Sequence, residues 1–507
     1  MWLSRTWQKI ASSDLGILVL LALFLILLHT LTNGQYGFHR DELATLDDAR
    51  YLAWGYVAYP PVTPFIARVA LELFGPSLVG VRFFCALALA IAMVPTGLMA
   101  RELGGRRFAQ VVAALAAAIA PTALSEGNFF QYVSFDYLWW VLAAYLMIRL
   151  LKSQDPRWWL GIGAVIGLGM LTKYTMAFFT AGIVVGVVFT SNRRYLTSPW
   201  LWGGVTLAVL IFLPNLVWQV QHDFISLTFL NSIHARDIAI GRTRDFLVEQ
   251  LYSAANLFTL PLWVAGLYFY LFAPTGKRYR PLGWMFVVPF GLFLIAQGRG
   301  NYMPPAYPML LAAGAVLEEQ WLAGLTLART RLVKSITWGG LALGGILMMP
   351  LALPIAPLGS DLYAMTSSVN DGFKESVGWP ELVETVAGIY ATLPANDRPQ
   401  TGILTGNYGE AGAINLYGPT YGLPEAISGI NSYWLRGYGD PPPQTLIVLG
   451  FSQADALRAF ESCTVAGLVT NRYGVRNEET REHPVILVCR GPREPWPELW
   501  KHLQSFG

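Results

Sequence analysis

The sequence predicts a polytopic α-helical membrane protein with about eleven transmembrane helices and a C-terminal α/β soluble domain. Three observations carry that prediction. Charge is scarce: of 507 residues only 13% are charged while 54% are hydrophobic, against about 25% charged in an average soluble domain. Long apolar stretches alternate regularly with short basic connections up to about residue 356, and after residue 357 the composition turns polar. A chain so poor in charge cannot cover the surface of a soluble enzyme, and it is equally unlike a disordered chain or a nucleic-acid binder. The net charge of +3 is too small to imply a polyanionic partner. The 18 Trp, 23 Tyr and 27 Phe suit the bilayer interface as well as a core.

A membrane span needs roughly 20 apolar residues at about 1.5 Å each. Read with that ruler, candidate spans fall near 14–32, 78–100, 108–124, 134–151, 158–172, 176–190, 200–217, 251–273, 281–297, 302–322 and 336–356. The region 158–190 can be divided in more than one way. The first stretch, LGILVLLALFLILLHTLT, is longer than a signal-peptide core and lacks a small-residue cleavage site, so it reads as a retained anchor. Lys and Arg collect in every second connection: Arg5 and Lys9; Arg101, Arg106 and Arg107; Lys152 and Arg157; Arg193 and Arg194; Lys277, Arg278 and Arg280; Arg329, Arg331 and Lys334. By the positive-inside tendency these face the cytoplasm. The N-terminus is then cytoplasmic, and the longer loops 33–77 and 218–250 lie outside, as does everything after residue 357. The predicted domains are thus a transmembrane domain over 1–356 and an extracytoplasmic α/β domain over 357–507.

Within 357–507, a helix over 379–394 precedes a strand at 401–406 (TGILTG), a helix near 409–417, a strand at 445–450 (TLIVLG) and a helix at 452–462. Strand-like stretches at 463–470 and 484–489 follow, and strands alternating with helices point to an α/β sandwich. Cys85 sits in a span and reads as packing. Cys463 and Cys489 fall in two late strands of the exported domain, where an oxidising compartment permits a disulfide; the sequence leaves paired and unpaired states open.

Ionisable groups at membrane depth are costly and are functional candidates by default. The densest set is in the first outer loop, Tyr36-Gly37-Phe38-His39-Arg40-Asp41-Glu42, continuing through Asp47, Asp48 and Arg50 to Tyr59-Pro60-Pro61. Adjacent Asp41 and Glu42 offer a general base and a partner that orients a substrate or cation; the bland alternative is a helix start that prefers acids. Asp47, Asp48 and Arg50 read as a solvated face or local ion pairs, and Arg68 as a partner for Glu72 four residues on. Asp136 opens the apolar run LWWVLAAYLMI, either as a cap or as a second acid facing one pocket with Asp41. Lys173 in GLGMLTKYTMAFF is the most isolated charge; it either snorkels to the interface or holds a phosphate. Arg236, Arg242, Arg244 and Arg299 add cations on the outer side, where the positive-inside tendency disfavours them.

In this order, Arg40-Asp41-Glu42, Pro60-Pro61, Phe135-Asp136, Leu171-Thr172-Lys173 and Tyr302-Met303-Pro304-Pro305-Ala306-Tyr307-Pro308 resemble the family 39-like membrane glycosyltransferases of the GT-C superfamily. These include the protein O-mannosyltransferases and the aminoarabinose lipid A transferases. The exported tail, with GWPELVE, GNYGEAGAINLYG and GLPEAISGINSYW, is similar to the C-terminal domain of bacterial members. The resemblance implies the GT-C fold, and transfer of a sugar from a polyprenyl-phosphate carrier to a protein, glycan or lipid acceptor on the outer face of the inner membrane, usually with inversion. It implies Asp41 as general base with Glu42 beside it, Asp136 as the second-loop acid, and Lys173 and Arg299 near the donor phosphate. Arg40, Arg68 and Tyr302 complete the expected substrate-binding set. Many relatives carry Lys where Arg299-Gly300-Asn301 stands here; Arg serves bidentate phosphate contact equally well.

The chemistry agrees with the residue types. An acceptor hydroxyl becomes a competent nucleophile when a carboxylate takes its proton, and a leaving lipid phosphate is stabilised by Lys or Arg. Glycine stretches such as Gly161-Ile162-Gly163 lie in apolar spans and read as helix-packing positions, so no nucleotide-binding loop is apparent. No cofactor is required; a divalent cation at Asp41 and Asp136 is chemically allowed, although no spacing demands one. The rival from another class is a lipid or lipid-linked sugar flippase, but no convincing internal repeat is visible and the unexplained charges sit at outer helix ends, not at mid-span. Among enzymes, the alternatives are a pentose passed to a lipid A-type acceptor and a hexose passed to protein or glycan.

Overall fold

The computed structural model describes residues 13–507, so Arg5 and Lys9, on which the cytoplasmic N-terminus rests, lie outside the described residues. The first helix, α1 (Asp14–Thr32), begins where the Ser13 side chain accepts the Gly16 amide. It is followed by α2 (Arg40–Asp48), α3 (Val62–Phe74), α4 (Leu78–Glu102), α5 (Arg107–Ala118), α6 (Tyr132–Ser153), α7 (Trp158–Met170), α8 (Met176–Val188), α9 (Pro199–Gln221) and α10 (Ile225–Ala239). Next come α11 (Leu260–Leu271), α12 (Arg280–Ile295), α13 (Tyr307–Ala323) and α14 (Leu327–Ala352).

All eleven apolar stretches therefore carry a helix, but fewer of them meet the length expected of a span. Among the described residues, five (α1, α4, α6, α9 and α14) are long and apolar enough to cross a membrane, and the number reaches seven if each of two bent pairs is one span. One bent pair joins α8 to a turn at Ser191–Thr197 through 103°, and the other joins Phe246–Ala254 to Leu257–Leu271 through 90°. Each break is made by a side chain that starts a new helix: Thr190 accepts the Asn192 amide and Asn256 accepts the Phe258 amide. The 12 residues of α5 reach only about 18 Å, short of the roughly 30 Å hydrocarbon layer. The apolar side chains Val209, Leu210 and Leu213 of α9 are exposed, as lipid-facing positions of a multi-pass membrane protein require. Glycines permit the tightest helix contacts: a Cβ on Gly163 of α7 would stand 2.0 Å from the Gly204 carbonyl of α9, and one on Gly266 of α11 would stand 1.9 Å from that of Leu310 in α13.

The chain divides into two compact units. One comprises the chain through Asn33, Arg82–Gln221 and His234–Leu353; the other joins Gly34–Val81 and His222–Ile233 to Pro354–Gly507. The α/β part of the second unit contains α15 (Trp379–Thr392), β1 (Thr401–Thr405), α16 (Tyr408–Tyr417), β2 (Ala426–Ser428), β3 (Thr445–Leu449), β4 (Phe460–Leu468), β5 (Val485–Pro492) and α17 (Trp496–Leu503). Its sheet has the order β2-β1-β3-β5-β4; β2, β1 and β3 are parallel, while β5 runs antiparallel to β3 and β4 to β5. Every residue of the central TLIVL strand is buried, as a strand covered on both faces requires. Leu446, Val448, Phe460, Leu487, Trp496 and Trp500 form its core. Cys463 and Cys489 face one another in register on β4 and β5 and form a disulfide. The helix expected to reach 462 ends at Ala459, because Phe460 turns extended and starts β4.

Candidate active site

In the second unit, α2 presents the first-loop acids. His39 caps this helix: its Nδ1 accepts the Asp41 amide at 3.1 Å, and the Glu42 carboxylate accepts the His39 amide at 2.7 Å. The two bonds form a capping box. Glu42 is fully buried, so its side chain starts the helix and is not presented beside Asp41. Asp41 keeps 28% of its side chain exposed, with its Oδ2 3.9 Å from His39 Nδ1, and the Tyr408 hydroxyl hydrogen-bonds to it. Of the two acids, only Asp41 has the access that proton transfer needs.

Arg40 requires a correction. Expected to bind substrate, it lies at the centre of an acidic cluster, with its side chain 11% exposed. Both guanidinium Nη atoms engage Glu478, one of them at 3.0 Å. Glu375 and Glu479 stand 3.9 and 4.0 Å away, and the Tyr408 ring lies 5.1 Å from the guanidinium. Such a cation is already neutralised by protein carboxylates. Arg68 forms the pair with Glu72 that its four-residue spacing predicts, exposed and at 2.7 Å along one face of α3, a contact worth little beyond local helix support. Of the two readings of Asp47, Asp48 and Arg50, the local ion pair is present, Arg50 meeting Asp47 at 3.2 Å, while the solvated face is not: Asp47 and Asp48 are 2% and 4% exposed. Arg436 bonds to both, and Asn415 donates to Asp47 at 3.0 Å.

In the first unit, Asp136 is 1% exposed in the first turns of α6. Trp140 Nε1 donates to one of its oxygens and Thr175 Oγ1 to the other, each at 3.0 Å. It is a held, doubly hydrogen-bonded carboxylate. Thr172 receives the indole N–H of Trp139 at 2.9 Å and donates to the Leu168 carbonyl at 2.8 Å. This fixes the turn between α7 and α8 that carries Lys173. The Lys173 ammonium sits between two rings, 5.1 Å from Tyr132 and 4.5 Å from Tyr302, within electrostatic reach of Asp136, Glu126 and Arg299. Arg299 is held in bidentate fashion by Asp237, Nε at 2.5 Å and Nη2 at 2.8 Å. A Cβ on the neighbouring Gly300 would meet the Glu249 side chain, Oε2 at 2.1 Å and Cβ at 2.7 Å, so a larger residue here would displace Glu249.

The first unit thus brings Asp136, Lys173, Arg299 and Tyr302 together, whereas Asp41, Glu42, Arg40 and Arg68 belong to the second. Sequence reasoning missed Tyr132, Thr175, Asp237 and Tyr408. Asp237 alone had a signal, as an acid next to Arg236 in a loop whose arginines drew attention. The others act through distances that no local pattern encodes. Among the described residues, no group of three or more His, Cys, Asp or Glu side chains is arranged to hold a metal ion.

Residues 58–218 match the family model of dolichyl-phosphate-mannose-protein mannosyltransferases. The lipid A galacturonosyltransferase RgtD of Rhizobium johnstonii is 24% identical over 333 residues, 61% of this chain and 65% of that protein. The undecaprenyl phosphate-alpha-4-amino-4-deoxy-L-arabinose arabinosyl transferase 1 of Pseudomonas fluorescens is 26% identical over 299 residues, 54% of this chain and 52% of that protein. The matched stretches thus span less than two thirds of either relative. Agreement in structure is longer. The crystal structure of ArnT from Cupriavidus metallidurans in the apo state superposes with a TM-score of 0.60 at 14% identity, over 94% of this chain and 98% of that one. Its undecaprenyl phosphate-bound form gives a TM-score of 0.57 at 14% identity, over 93% and 97%. Over almost its whole length the chain thus shares the fold of ArnT, a multi-pass membrane protein, and its residues 58–218 match the mannosyltransferase family model.

Proposed function

We propose that the chain is an inverting glycosyltransferase that moves a sugar from a polyprenyl-phosphate donor to an acceptor on the outer face of the bacterial inner membrane. The observation that carries this reading is the pair of partly buried cations, Lys173 between Tyr132 and Tyr302 and Arg299 on Asp237, in a chain sharing its fold with a protein crystallised with undecaprenyl phosphate. As the bond between the anomeric carbon and the phosphate oxygen breaks, its electron pair stays on the phosphate, whose negative charge grows by one. Lys173 and Arg299 stabilise that charge. The acceptor hydroxyl attacks the anomeric carbon from the opposite face and gives its proton to a carboxylate, the part that the sequence resemblance assigns to Asp41. Asp136 orients Lys173 and balances its charge. Glu42 contributes by holding α2. The step runs on these side chains without a divalent cation, so chelation by EDTA leaves turnover unchanged. A lipid A-type acceptor is favoured by the rhizobial relative, whose name identifies lipid A as its acceptor. Whether the sugar is a pentose or a hexose follows from which donor is consumed.

The test supplies purified protein with polyprenyl-phosphate sugars and a lipid A acceptor and measures released polyprenyl phosphate. Release in the intact protein, a drop of about 10²-fold or more in Asp41→Asn, as for loss of a general base, and a comparable drop in Lys173→Ala support the reading. Undiminished turnover in Asp41→Asn removes the base assignment. Lipid movement across liposome membranes without any donor consumption favours a flippase.

A further inference from the structure

The C-terminal α/β part has no place in the chemistry above, yet it surrounds the helix that carries Asp41. Ahead of α2, Tyr36 packs edge-on against Tyr363 and Phe373, both at 5.3 Å, and donates its hydroxyl to the Ala356 carbonyl at 2.7 Å. Gly37 passes so close to Ser376 that a Cβ would stand 2.4 Å from its carbonyl oxygen. At the start of α2, Arg40 is gripped by Glu375, Glu478 and Glu479. Along its length, α16 packs backbone against backbone: a Cβ on Gly412 would meet the Leu43 carbonyl carbon at 2.6 Å, and one on Gly409 would meet Arg40 Cβ at 2.7 Å. At its end, Arg436 bonds to Asp47 and Asp48, Asn415 donates to Asp47, and Arg50 meets Glu425 at 2.5 Å. The GNYGEAGAINLYG motif is thereby explained: two of its glycines make the seat of α2, and its Tyr408 hydrogen-bonds to Asp41.

We propose that the α/β domain is the scaffold that positions the first-loop acid, with Arg40 and Arg436 as positioning residues that clamp the two ends of α2. The inference deepens the functional reading and rests on Asp41 as base. A helix of nine residues is too short to be stable alone, so its geometry is set by what holds it. Asp47 and Asp48 are adjacent and buried, and Arg436 bonds to both; with Arg436 removed, Asp47 keeps only Arg50 at 3.2 Å as a cation partner and Asp48 keeps no ion pair among the described residues, which drives the end of the helix out of its seat. Asp41 lies six residues away, about 9 Å along the axis. A displacement of about 1 Å at a reacting group is enough to lower a rate by about 10²-fold.

The test uses the full chain with Arg436→Gln, Arg436→Lys and Gly412→Ala, with Arg472→Gln as a control at the exposed pair with Glu381. Steady-state turnover is read together with hydrogen exchange of the amides of residues 40–48. We expect kcat to fall at least tenfold in Arg436→Gln with KM for the lipid donor changed less than threefold, faster exchange in α2, partial recovery in Arg436→Lys, and full activity in the control. Gly412→Ala adds one methyl against Leu43 while favouring the α16 helix itself, so a severalfold loss of kcat there reports displacement even if Arg436→Gln does not fold. Wild-type kcat and unchanged α2 exchange in a folded Arg436→Gln or Gly412→Ala protein overturn the proposal. Full turnover in Asp41→Asn removes the base reading instead, and α2 exchange in Arg436→Gln then decides the clamp by itself.

Discussion

At the scale of single residues, environment decides which of several similar side chains is available for chemistry. Asp41 and Glu42 are neighbours, but the helix start takes one and leaves the other exposed. Arg40 and Arg299 are both ion-paired. Arg299 has a single bidentate carboxylate and keeps a quarter of its side chain exposed, whereas Arg40 meets three carboxylates and is nearly enclosed. Around Arg40 the acids outnumber the base, and burial pushes their carboxyl groups up: Glu375, with Glu479 beside it, to about 7 and Glu410, also beside Glu479, to about 8. Both sit near 4.5 when free. Between those values the folded state binds more protons than the unfolded one, so stability is greatest below about pH 4.5 and is lost as pH rises through 7 to 8. The thermal midpoint of the α/β domain is therefore expected to fall from pH 5 to pH 8.5, and Glu410→Gln to flatten that slope. A midpoint that rises over this range contradicts the account.

At the scale of elements, short helices depend on their ends and long ones on their faces. The capping box of α2 satisfies amide groups at its start, and loss of a cap costs about 0.5–2 kcal/mol. Glu42→Ala is expected to lower stability by about that amount and to reduce turnover far less than Asp41→Asn does. Equal loss of turnover in the two variants, both folded, would assign Glu42 a direct chemical part. The glycines of Gly161-Ile162-Gly163 are legible in the sequence as packing positions, and Gly163 indeed meets the backbone of Gly204. The breaks after α8 and before α11 are not legible by hydropathy, because an apolar run continues across a polar cap. That is why a count of eleven apolar stretches exceeds the number of helices long enough to span.

At the scale of the whole molecule, the disulfide makes the orientation expected from the charge distribution testable. The proposed orientation puts β4 and β5 in an oxidising compartment, where Cys463 and Cys489 stay paired. In intact spheroplasts, a membrane-impermeant alkylating reagent is expected to label Cys463, the less buried of the pair, only after a reductant is added, and to leave the fully buried Cys489 and Cys85 untouched. Labelling without reductant, or only after the membrane is broken, would reverse the assignment. Closing a 26-residue separation is worth about 3–4 kcal/mol by chain entropy, so the reduced protein is expected to unfold at a lower temperature.

The sequence by itself determined the membrane class, the helical character of eleven apolar stretches, most strands of the α/β domain and the short roster of charges from which a site can be built. It could do so because hydropathy, periodicity and charge scarcity are properties of local composition. Only the tertiary structure decided how those charges are used. Asp47 and Asp48 look solvated until Arg436, almost 390 residues later, buries them, and Arg40 looks free until Glu478 closes on it. A charge advertises itself in a sequence, but its partner is chosen by folding, and the partner determines whether the charge binds a substrate or holds the protein together.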